Sequence, residues 1–103
     1  MRKILYAPGY GAGWSTWNNG EVAKLMLEYA PIVAAIEQGE RMSNTHPAVL
    51  QLKQECKERF NEGYVCTLGA EDLVVHETEG RVRVTEYDGF ESVDDEGAYT
   101  DWV

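Results

Sequence analysis

Cysteine is scarce in this chain. Cys56 and Cys66 are the only two, and no Cys-x-x-Cys pattern occurs. That argues against a zinc site and against a disulfide scaffold, and both residues read as small buried hydrophobes. Long apolar runs are missing too: none approaches the roughly 18–20 residues needed to span a bilayer. Arg2 and Lys3 are not followed by the apolar core of a signal peptide, so the expected location is the cytosol. Basic residues nearly vanish in the second half. Residues 1–63 carry seven bases and seven acids, whereas residues 64–103 carry two bases and eleven acids, which makes the net charge −9. Such a balance disfavours duplex DNA and anionic membrane surfaces as partners. The familiar nucleotide signatures are absent as well. GxxxxGK[ST] fails because no lysine follows the early glycines until Lys24, and GxGxxG fails because its third glycine position falls on Trp14 or Thr16.

What the chain does have is a conspicuous loop, Ala7-Pro-Gly-Tyr-Gly-Ala-Gly-Trp-Ser-Thr-Trp-Asn18. Glycines at 9, 11 and 13 alternate among Tyr10, Trp14 and Trp17, between a short apolar run and a helical pattern. A strand, a glycine loop and a helix start form a common anion-binding geometry, since free N–H groups and the helix dipole both favour negative charge there. The plain alternative is that the glycines only permit a tight turn.

At 103 residues the chain predicts one domain, with an acidic, mobile segment at about 94–101. Residues 3–7 read as an interior strand that Pro8 terminates. Val22, Leu25, Met26 and Tyr29 share one helical face that continues through Ile32, Val33 and Ile36. Pro31 divides that stretch into two helices, about 21–29 and 31–38, with Asn18 or Asn19 as the first cap and Gly39 as the stop. Thr45 or His46 caps a third helix with Pro47 at its first position. Val49, Leu52, Cys56 and Phe60 form its apolar stripe, and Asn61 and Gly63 end it. Residues 64–68 are a short strand or an extended lead-in, and 69–72 a turn. Residues 73–77 and 81–87 are β-patterned and predict a hairpin through Thr78-Glu79-Gly80. Asp88-Gly89 is a further turn signal ahead of a last strand at 90–93. The fold class is α/β (α+β): a small mixed β-sheet, order β-α-α-α-β-β-β, with helices packed on one face. The helical crossover is compatible with parallel pairing of the first strand.

Three stretches carry a resemblance: residues 4–14 ahead of a helix, His46-Pro47 opening a helix that ends at a glycine, and Arg81-Val-Arg-Val-Thr-Glu-Tyr-Asp-Gly-Phe-Glu-Ser-Val93. Together they resemble a group of small uncharacterised phage-encoded proteins with a strand, a Gly/aromatic loop, helices, and an Ile/Val-x-Glu-Tyr-Asp-Gly-x-Glu ending. Here Gly-Ala-Gly stands where the group has adjacent glycines, and the Pro31 region is inserted. The resemblance implies a viral source and a shared fold and names no reaction; with a viral source, the expected cytosol is the host cytoplasm.

The ligand-binding candidates are Tyr10, Gly11, Ala12, Gly13, Trp14, Ser15 and Trp17, with Arg81 and Arg83. The aromatics offer stacking faces, the loop N–H groups and Ser15 offer donors, and the two guanidiniums offer phosphate ligands. Ser15, Cys56, Cys66, His46 and His76 include the ingredients of a nucleophile–base pair, but no motif joins them, so no enzyme, cofactor or metal is expected. Two functions follow as expectations. One is a non-enzymatic protein that sequesters a nucleotide or cyclic nucleotide signal of host defence. The other is an interaction module that inhibits a host protein through its acidic C-terminal segment and Trp102. A homo-oligomer suits both, because a small sheet leaves strand edges open.

Overall fold

Alternation along the first strand places Ile4 and Tyr6 on one face and Lys3, Leu5 and Ala7 on the other, and the structure uses both faces. In the computed structural model, which describes residues 2–9 and 12–95, β1 (Arg2–Tyr6) buries Ile4 and Leu5 completely but in two separate apolar clusters. Leu5 joins the main core with Trp14, Met26, Ile32, Val49, Leu52, Cys56 and Leu73. Ile4 packs instead with Leu27, Val82, Val84 and Val93.

The helices are α1 (Gly20–Leu27), α2 (Ala30–Glu37) and α3 (Pro47–Phe60). Pro31 sits in the first turn of α2, where its missing N–H costs nothing. Gly39 follows that helix at φ 87°, a conformation a side chain would oppose. His46 caps α3: its Nδ1 accepts from the Ala48 N–H at 3.0 Å, which makes Nε2 the protonated nitrogen facing Glu40 at 2.9 Å. Asn61 ends α3 in the left-handed region at φ 53°, its N–H bonding the Lys57 carbonyl at 3.1 Å in an αL closure, and the Glu62 N–H returns to the Cys56 carbonyl.

The remaining strands are β2 (Val74–Thr78), β3 (Val82–Tyr87) and β4 (Phe90–Asp95), so the order β-α-α-α-β-β-β holds for this small α+β fold. Their pairing departs from the sequence-based expectation in two respects. First, β1 pairs with β2 antiparallel, Tyr6 opposite Val74 and Arg2 opposite Thr78. Parallel pairing is excluded because the segment after α3 brings the chain back at the Tyr6 end of β1. Second, β2 and β3 form no hairpin. Residues 79–81 lift the chain onto a second antiparallel ladder, β3 with β4, closed at Asp88-Gly89. Both turn residues have positive φ, 52° and 86°, which suits the right-handed twist of a two-residue hairpin. Asp94 and Asp95 belong to β4 rather than to a mobile segment; the rest of the predicted acidic segment and Trp102 lie outside the described residues.

The β3–β4 ribbon has two distinct faces. Val82, Val84 and Glu86, opposite Asp95, Val93 and Glu91, share one face; Val82, Val84, Val93 and Glu91 pack inward from it, and Glu86 and Asp95 are exposed. Arg83 opposite Asp94, Thr85 opposite Ser92 and Tyr87 opposite Phe90 point outward. An ion pair at 3.7 Å and a hydroxyl–hydroxyl bond at 2.9 Å join the first two outer pairs.

Candidate functional site

The glycine loop does bind an anion, and the anion belongs to the protein. Glu91, first inward-facing residue of β4, is wholly buried. Its Oε1 accepts from the Ala7 N–H at 2.8 Å. Its Oε2 accepts from the Trp14 N–H at 2.7 Å, the Thr16 N–H at 3.1 Å and the Thr16 hydroxyl. The Glu91 main chain adds a bond from its own N–H to the Ala7 carbonyl at 2.9 Å. Glycine at 13 is needed for this approach, because a Cβ there would lie 3.1 Å from Oε2 and 2.6 Å from the Thr16 hydroxyl. Gly69 packs as closely from the other side, with the Gly13 carbonyl 2.6 Å from where its Cβ would stand.

This arrangement redistributes the predicted ligand residues. Ala12, Gly13, Trp14 and Ser15 are buried. The Trp14 indole lies in the core and donates to the Met26 carbonyl at 2.9 Å, so it offers no stacking face. Trp17 alone among the described loop aromatics remains open, 40% exposed, with its indole N–H on Glu86 at 3.1 Å. Arg83 lies on the outer face of the ribbon, opposite to the face that carries Glu91, and Arg81 precedes β3 as an exposed residue. Tyr10 and Gly11 lie outside the described residues.

A second surface emerges on α3. Leu50, Lys53, Gln54 and Lys57 stand at i, i+3, i+4 and i+7, a stripe separate from the buried one of Val49, Leu52 and Cys56. The left-handed Asn61 turns the chain back along the helix, so that Glu62, Gly63, Tyr64 and Val65 form the facing wall. Between them lies a groove of about 470 Å³. Tyr64 is 73% exposed and Leu50 49%. Among the described residues Lys53 and Lys57 make no ion pair, whereas Arg2, Lys3, Lys24, Arg59 and Arg83 all do. In a chain with twice as many acids as bases, two lysines one turn apart form no ion pair among the described residues, although Glu62 lines the same groove.

Glu62 and Tyr64 also line a smaller neighbouring cavity of about 260 Å³, whose far side is Trp17, Asn18, Asn19 and Val22. Asn18 braces the junction. Its amide donates to the Trp14 and Cys66 carbonyls at 2.9 and 3.0 Å, and its oxygen accepts from the Cys66 N–H at 2.9 Å.

No protein-family model, curated protein or solved structure matches this chain. The site is therefore read from its own chemistry.

The groups with catalytic potential are placed far from one another in role. Cys56 is buried, and that burial, reinforced by Glu55 and Glu62, pushes its thiol up, away from the reactive thiolate. Cys66 is buried against the Asn18 junction. His46 caps α3, and His76 bonds Asp95 at 3.0 Å while its ring meets Tyr6 edge-on. Among the described residues no group of His, Cys, Asp and Glu side chains is arranged to hold a metal ion, and no helix is long and apolar enough to cross a membrane. The signal that would have located the groove is the second stripe on α3: a leucine and two lysines on one face read as an ordinary solvated surface.

Proposed function

We propose that the chain is a non-enzymatic binding module that takes a nucleotide, not in the glycine loop but in the groove between α3 and residues 62–65. The observation that carries this reading is the coincidence, in one concavity, of a widely exposed tyrosine with two lysines that form no ion pair among the described residues. Lysine ammonium groups act as point charges toward phosphate. A base stacked on the Tyr64 ring adds about 1–3 kcal/mol. Glu62, an acceptor on the same wall, suits the amino or imino N–H groups of a base edge. The loop is a poorer host for phosphate, because Glu91 already holds the Trp14 and Thr16 N–H groups.

Titrating the four nucleoside 5′-monophosphates while following the melting curve tests the proposal. A nucleotide at 100 times its dissociation constant should add about 2.7 kcal/mol of stability. The double substitution Lys53→Gln and Lys57→Gln should abolish the shift with little change in the unliganded melting temperature, since neither lysine forms an ion pair among the described residues and glutamine keeps the helix propensity. Flat melting curves with all four nucleotides at millimolar concentration overturn the reading.

A further inference from the structure

We infer that the ligand carries two bases: the groove and the neighbouring cavity together form a dinucleotide site, with Tyr64 and Trp17 as its two stacking platforms. This inference rests on the nucleotide reading of the groove and extends it. The two cavities share Glu62 and Tyr64 in their linings, and the second has its own exposed aromatic, Trp17. Its volume of about 260 Å³ and its lining of Trp17, Asn19 and Val22 suit a flat, mostly apolar ring with a polar edge. The lysines lie only on the α3 side, so the charged phosphate belongs there and the second base at Trp17.

The Trp17 ring is held for this role. Its indole N–H donates to Glu86, which also accepts from the Gly89 N–H at 3.3 Å, so the hairpin end positions the ring. Asn18 spends its amide on the backbone of residues 14 and 66, whereas Asn19 is exposed beside the cavity and can pair with a base edge. The chain's charge of −9 favours a short ligand over a long strand, because every phosphate beyond the two lysines meets a negative field.

The test compares GMP, the linear dinucleotide pGpG, cyclic di-GMP and a mixed ten-nucleotide single strand by calorimetric titration. The second stacked base should make pGpG at least about tenfold tighter than GMP. Trp17→Ala should bring pGpG back to the affinity of GMP without weakening GMP, and Trp17→Phe should keep the gain. Cyclic di-GMP against pGpG shows whether the closed or open form fits better, and a gain over GMP by either supports two bases. Equal affinities for GMP and both dinucleotides overturn the two-base site while leaving the groove reading intact. Loss of GMP and pGpG binding alike in Trp17→Ala also overturns it. If the strand binds more tightly than either dinucleotide, the commitment to a short ligand fails. No binding of any probe removes the groove reading itself.

Discussion

At the scale of single residues, Glu91 governs the loop. A buried carboxylate that accepts from three main-chain N–H groups and a hydroxyl stabilises through charge-assisted bonds that have no solvent competitor. Replacing it strands those donors. Glu91→Gln also puts an NH₂ group among them, and the expected loss is about 3 kcal/mol of stability, read from the urea midpoint. In Glu91→Ala, added formate should raise the melting temperature more than it does in the parent chain, because formate can occupy the vacated donors. An unchanged midpoint for both variants would mean that the loop stands without its anion. The order of strand, glycine loop and helix start made the loop legible as an anion cradle. It left the occupant illegible, since Glu91 is one of eighteen acids and nothing local marks it as buried.

At the scale of elements, local chemistry carried most of the reading. The Pro31 and Pro47 helix starts and the Gly39 and Asn61 stops were all legible, because each depends on local backbone preference. The β2–β3 hairpin was misread because Gly80 marks a turn without fixing which strand the chain pairs with on either side of it. Asp88-Gly89 supplies both positive φ values that a two-residue turn needs. Gly89→Ala should therefore cost about 1–2 kcal/mol, the penalty of placing a side chain in the left-handed region, whereas Gly80→Ala should cost much less. Thermal unfolding of the two variants checks this, and equal losses would contradict the assignment of the hairpin. The stripe of Leu50, Lys53, Gln54 and Lys57 was visible in the sequence but silent, because its facing wall arrives only after Asn61 reverses the chain.

At the scale of the whole molecule, the two ladders are tied together by long-range contacts with testable consequences. Asp95 at the end of β4 bonds His76 on β2, and hydrogen bonding from His76, then Thr78, holds its carboxyl below the usual carboxylate range. A lowered folded value means that this contribution is complete above the unfolded value of about 3.9 and is lost as pH falls through the folded one. Urea midpoints measured between pH 2.5 and 5 should show the parent chain losing its advantage over Asp95→Asn only below about pH 4; parallel curves would show that the link between the ladders does not form. The amino-acid sequence by itself determined the order of elements, the helix boundaries and which faces are apolar, because those follow from backbone preferences and periodicities a few residues long. Only the tertiary structure decided that β1 runs against β2, that Glu91 fills the loop, and that Lys53, Lys57 and Tyr64 line one groove. Those outcomes depend on where a chain reversal some tens of residues away delivers a side chain, and no local pattern records that.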